Sequence, residues 1–181
     1  WGSQGSESGQ FVRAIGIAVD KNNDVYVTDD GNPFVQKFDN DGNFIMKFGG
    51  PGNGDGTFQH ATGIAVDLKG NIFVADYETK LVQKFDNSGN FLLSWALNVD
   101  DLTTGTPEGI AIDGNELVYI SDYDQGQVHV YDANGNYQWT LSKKIEGLSP
   151  LSRPTSIAID GSGVLYIVNQ SGAKISVIDM P

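Results

Sequence analysis

Gly16-Ile17-Ala18-Val19-Asp20 decides how this chain is read, because it returns as Gly63-Ile64-Ala65-Val66-Asp67, Gly109-Ile110-Ala111-Ile112-Asp113 and Ser156-Ile157-Ala158-Ile159-Asp160. The closing aspartates stand 47, 46 and 47 residues apart. A fixed period in this range marks one supersecondary unit stacked on copies of itself. Two more segments keep the register. Val25-Tyr26-Val27-Thr28-Asp29 recurs as Ile72 to Asp76, Val118 to Asp122 and Leu165 to Asn169, and Val35-Gln36-Lys37-Phe38-Asp39 recurs as Val82 to Asp86, Val128 to Asp132 and Ile175 to Asp179. Residues 11–48 match residues 58–95 at 18 of 38 positions, which chance does not produce.

Each segment is short, rich in Val, Ile, Tyr and Phe, and bounded by Asp, Asn and Gly, the pattern of strands joined by tight turns. A fourth strand is expected after each Gly-Asn pair, over Phe44 to Phe48, Phe91 to Trp95 and Tyr137 to Leu141. The unit is therefore a four-stranded antiparallel meander. Runs such as Val25-Tyr26-Val27 do not alternate cleanly with polar residues, so both faces of each sheet need cover. Radial stacking supplies it and leaves only short edges. The expected fold is an all-β propeller of four blades, one region over residues 1–181 with repeats at about 11–48, 58–95, 104–141 and 151–179.

The succession Gly-Ile-Ala-Val-Asp, an Asn- or Gly-containing turn, Val-Tyr-Val-x-Asp, Val-Gln-Lys-Phe-Asp and Gly-Asn-Phe resembles the NHL repeat. The lead-in from Trp1-Gly2-Ser3 to Gly9-Gln10-Phe11 belongs to the same pattern. The third repeat lacks the glycine-rich lead-in, and the fourth departs at Ser156 and Asn169. The resemblance implies a larger ring, commonly of six blades. Trp1 aligns with Phe48, Trp95 and Leu141 at the end of an outer strand, and residue 179 closes a third strand. The expectation is thus an arc whose last blade lacks its outer strand, completed by further repeats or by another chain. A fourth blade made four-stranded by residues 1–5 would overturn it.

Composition narrows function by exclusion. Net charge is −12, from 23 acidic and 11 basic residues, so a phosphate backbone meets a repulsive average field and nucleic acid is not the expected partner. There is no cysteine, which removes disulfides and thiolate metal sites. No apolar run approaches the roughly 18 residues of a membrane span. Acidity and Asn/Asp/Gly-rich turns suggest, by analogy, an extracellular or cell-surface prokaryotic protein.

Loops before the first strand and between the second and third strands share one face of a propeller, near the central tunnel. The first set puts Arg13, His60, Thr106 and Arg153 at one equivalent position, with Ile15, Thr62, Glu108 and Thr155 two residues later. Three of the four leading positions carry positive or titratable donors, an arrangement suited to carboxylate, sulfate or uronic-acid groups. Against this, Arg13 and Arg153 can simply pair with Asp29, Asp76 and Asp122. The second set offers Asp30, Tyr77, Tyr123 and Gln170, and two tyrosines on adjacent blades suit a sugar or peptide. Asp20, Asp67, Asp113 and Asp160 recur in every repeat, as turn-forming residues do. Asp20-x-Asn22-x-Asp24 and Asp39-x-Asp41-Gly42 resemble calcium loops but lack the spaced Glu, so they read as turns too.

The expected function is a non-catalytic binding or scaffold module for a protein, peptide or acidic glycan, with Arg13, His60, Glu108, Arg153, Tyr77 and Tyr123 as candidate ligand-binding residues. No catalytic residue, metal ligand or cofactor is expected. The alternatives are an enzyme, since relatives of the fold include metal-dependent propeller lyases and lactonases, and a purely architectural surface repeat. Of the two histidines, His129 falls in a third strand away from the expected mouth, leaving His60 for such chemistry.

Overall fold

The computed structural model of the chain describes residues 1–100, 103–144 and 151–180. Four antiparallel meanders follow one another. Blade one pairs Ala14–Val19, Val25–Asp29, Phe34–Phe38 and Phe44–Gly49 in that order, blade two Ala61–Val66 through Phe91–Ala96, and blade three Pro107–Ile112 through Tyr137–Thr140. Blade four has three strands among the described residues, Pro154–Ile159, Val164–Asn169 and Lys174–Asp179. Ser3–Gln4 pairs with Gln10–Phe11, not with blade four, so the chain start does not complete that sheet. Trp1 instead packs on Phe38 at 4.4 Å, as Phe48 packs on Phe85 and Trp95 on Tyr131 at 5.0 and 5.9 Å.

The turns follow one rule. Asp20, Asp67, Asp113 and Asp160, each one residue past its strand, accept backbone N–H groups from two and four residues ahead on Oδ1, and Asp39, Asp86 and Asp132 do the same before the outer strands. Asp20 and Asp39, which lead the two stretches that resemble calcium loops, are thus occupied by their own backbone, and Asp24 is held by Lys37 at 2.8 Å. The residue three past each aspartate is left-handed, which is why glycine stands at positions such as Gly42 (φ 84°) and why Asn23 and Glu116 are its less common substitutes.

The core lies between blades. Tyr26 and Val35 of blade one meet Ile64, Val74 and Phe85 of blade two. Phe73 and Val82 meet Ile110, Ile120 and Tyr131 in the next interface, and Tyr119 and Val128 meet Ile157, Leu165 and Ile167 in the third. Adjacent innermost strands approach so closely that a Cβ at Gly16, Gly63 or Gly109 would collide with the carbonyl oxygen of Thr62, Glu108 or Thr155 on the next blade. Hydroxyls fasten the approach. Thr28 accepts from Gly16 N at 2.8 Å and donates to Thr62 O at 2.6 Å, and Ser121 does the same between Gly109 N and Thr155 O. Blade two has Ala75 there, and Thr62 Oγ1 donates to Glu108 O instead, at 3.1 Å.

The third blade departs from the repeat. Gln36 and Gln83 each clamp a glycine-rich lead-in, taking an N–H from Gly9 or Gly56 and giving one to Gln10 O or Thr57 O. His129 replaces this glutamine where the lead-in is missing, and it is buried with Nε2 at 3.3 Å from Asp122 and Nδ1 at 2.9 Å from Thr140 Oγ1. The outer strand stops at Thr140, one residue short of expectation, because Leu141 begins a helical turn to Lys144 while remaining buried in the last interface.

Candidate functional site

Each blade brings its two loop sets together with one hydrogen bond: Asp30 N to Arg13 O, Tyr77 N to His60 O, Tyr123 N to Thr106 O and Gln170 N to Arg153 O, all 2.9–3.1 Å. Behind each clip sits a second-strand carboxylate or amide. Asp29 accepts from the N–H groups of Val12 and Arg13, Asp76 from those of Gln59, His60, Glu78 and Thr79, and Asp122 from those of Thr106 and Gln125. Asn169 takes the place in blade four and accepts from Ser152 N. These aspartates serve the backbone, so the pairing of Arg13 and Arg153 side chains with them, the structural alternative raised by the sequence, does not form. Arg13 pairs with Asp30, and the Arg153 guanidinium lies over the Tyr123 ring at 5.4 Å.

The first strand pair of every blade carries a register shift, between Ala14 and Ile17 and its equivalents. Ile15, Thr62, Glu108 and Thr155 lie within these bulges and all four line one cavity of about 230 Å³. Five of the six candidate residues line that same cavity, namely Arg13, His60, Tyr77, Glu108 and Tyr123, and Arg153 adjoins it through Tyr123. Residues from 95 or more positions apart in sequence, such as Arg13 and Glu108, are therefore neighbours of one opening.

The electrostatics are those of a charge-balanced mouth. Asp30 is buried, holds Arg13, and has His60 Nδ1 at 2.9 Å from Oδ1. That contact is close but poorly aligned, and Oδ1 accepts no well-formed hydrogen bond. Tyr77 and Tyr123 pack edge to face at 5.9 Å, with the Tyr123 hydroxyl donating to Gln170 at 2.7 Å. Lys80 lies 4.3 Å over the Tyr77 ring and donates to Thr106 Oγ1 at 3.0 Å, and Thr106 donates to Asp124 at 2.6 Å. Burial pushes the Glu108 carboxyl above its ordinary range, and the nearby Lys80 charge offsets this only in part. Thr106 is fully buried and so belongs to the frame of the mouth rather than to its lining. Sequence reasoning missed Lys80, which stands where the other blades have Pro33, Gly126 and Ala173, and it named Asp30 and Gln170 only as equivalents of the tyrosines.

A family profile described as a 6-bladed beta-propeller matches residues 10–106, more than half of the chain. The chain belongs to this family. Its repeat is of the NHL type. The propeller is 49% identical over 47 residues to protein lin-41 of Caenorhabditis elegans, a match covering 26% of this chain and 4% of that protein. Among solved structures, a streptogramin B lyase superposes with a TM-score of 0.67 at 16% identity, over 99% of this chain and 57% of the lyase. Virginiamycin B lyase from Staphylococcus aureus gives 0.66 at 12% identity, over 93% and 56%, and its catalytically inactive form with quinupristin gives 0.68 at 14%, over 99% and 59%. At these identities the likeness is one of fold, and the propeller spans under three fifths of each structure.

A larger cavity, about 380 Å³, opens between blades three and four on the side of the strand-one turns, lined by Asp113, Tyr119, Trp139 and Met180 among others. Asp113 there is engaged by its own turn and by the Tyr119 hydroxyl. Only two blades contribute to it. The smaller mouth gathers loop positions whose residues vary among the four repeats, and chemistry rather than volume singles it out.

Proposed function

We propose that the propeller is a binding module whose loop face holds a peptide or a protein segment. One observation carries this reading: the loop positions at which the four repeats differ converge on a single cavity rimmed by two edge-packed tyrosines. Tyrosine supplies large contact area with little rotamer entropy to lose, so such a rim suits an extended chain. The acidic-glycan form of the reading is weaker, because Arg13 is neutralised by Asp30, and Glu108 in the cavity and Asp124 on Thr106 add negative charge to the same mouth. Peptide and glycan arrays probed with the wild-type chain test it. Peptides should bind, and Tyr77→Ala and Tyr123→Ala should each weaken the best hit by about tenfold or more. Arrays with no hit would leave the architectural reading.

A second reading is favoured by the half-buried carboxyl of Glu108 in the same cavity as His60. In it the mouth is part of an acid–base or metal-assisted lyase or lactonase-like site using His60, Glu108 and Arg153. Tight binding of a divalent ion, abolished by His60→Ala, would support this over simple binding.

A further inference from the structure

We propose that the mouth takes a protonated amine or guanidinium on an alkyl stem, the side chain of a lysine or arginine in the bound peptide, with its head at Glu108 and its stem along the tunnel wall. This rests on the binding reading above and names what that site selects.

Glu108 is the one charged residue of its ring, since the equivalents Ile15, Thr62 and Thr155 are neutral. Its carboxyl is half-buried yet accepts no hydrogen bond from any described residue and forms no ion pair with one. A carboxylate partly withdrawn from water and without protein donors carries a desolvation cost, and a ligand that brings N–H donors offsets it. The cations around the mouth have other partners: Arg13 pairs with Asp30, Arg153 lies on the Tyr123 face, and Lys80, though its charge reaches Glu108, donates to Thr106 and lies over the Tyr77 ring. Asp30, the other carboxylate lining the cavity, is already held by Arg13 and faced by His60, which leaves Glu108 as the acceptor for the ligand's head.

Below the mouth a second cavity of about 230 Å³ shares Ile15, Thr62, Glu108 and Thr155 with the first. Its remaining wall is Gly16, Gly63, Gly109 and Ser156. The glycines are there because the blades approach too closely for a Cβ, and the consequence is a smooth wall beside the Ile15 side chain. Methylene groups fit such a wall and a second charge does not. An acidic ligand would meet Glu108 head on.

Amide-resolved NMR titration of the whole chain with n-butylammonium and n-butylguanidinium, against n-butanol and butyrate, tests the assignment. Shifts should centre on Gly16, Gly63, Glu108 and Gly109, with the cations binding at least about tenfold tighter than either control. Glu108→Gln should abolish that preference, and Lys80→Met, by removing a competing positive charge, should strengthen cation binding several-fold. Affinity of the wild type should fall as acid protonates Glu108, a readout that needs no variant. Equal binding of butanol or butyrate, or a cation preference that survives Glu108→Gln, overturns the proposal. Peptides that need Tyr77 and Tyr123 but show no lysine or arginine preference would sink this inference and leave the binding reading standing. Ammonium binding at Glu108 with blank peptide arrays would do the reverse.

Discussion

Asp76 gathers the N–H groups of Gln59, His60, Glu78 and Thr79 on one fully buried carboxylate, and so holds both loops of blade two at the mouth. Charge-assisted acceptance by several amides is among the stronger local interactions, and its loss strands the donors inside the fold. Asp76→Ala should cost about 3 kcal/mol, since a buried unsatisfied group costs ~1–3 kcal/mol and more than one is left. A thermal melt should show this as a fall of roughly 6–12 °C for a chain of this size. Asp76→Asn should cost less than half as much, because blade four already runs on Asn169, whose Oδ1 takes Ser152 N while its Nδ2 donates to Ser176 at 3.0 Å. Equal losses for the two variants would mean that charge, not acceptor geometry, holds the loops.

At the level of strands, the innermost glycine sets how near two blades come. A methyl group at Gly63 would meet the Glu108 carbonyl, Gly109 Cα and Ile110 N, all backbone and unable to rotate away. Gly63→Ala should therefore destabilise by ~2–3 kcal/mol, in the range of overpacked cores, and should perturb the Glu108 side of the mouth in an amide spectrum. Ser156, at the same place in blade four, is exposed, so Ser156→Gly should lie within about 0.5 kcal/mol of wild type. Strand placement and the turn aspartates were legible in sequence because both are local: a five-residue β-rich run and an Asp three residues before a left-handed position need only their neighbours. What was not legible depended on through-space partners. Arg13 chose Asp30 over Asp29 because Asp29 was already claimed by backbone amides, and the role of Lys80 depended on Thr106, 26 residues on. The end of the third outer strand moved by one residue because a helical turn buries Leu141 as well as a strand would.

Across the whole molecule, burial belongs to the interfaces and not to the repeats, so one sequence position carries different energies in different blades. Ile64 is 5% exposed between blades one and two, whereas Ile17, its exact counterpart by alignment, is 67% exposed on the outer flank of blade one, beside Ile15 and Val19. Blade four shows the same on its far side, where Val168, Ile175 and Val177 are exposed. In a stacked array stability is close to a sum of unit and neighbour terms, so the flanking blades, each with one packed face, should open before the middle two. Ile64→Ala should cost about 2–4 kcal/mol by the usual penalty for a buried truncation, and Ile17→Ala under about 0.5 kcal/mol. Hydrogen exchange of the wild type should protect Ile72–Asp76 and Val118–Asp122 most and Ala14–Val19 and Lys174–Asp179 least. Similar costs at Ile17 and Ile64, together with uniform protection, would show that in solution the outer flanks are covered as the inner ones are, and the open-flanked stack would have to be replaced by an assembly that packs both ends.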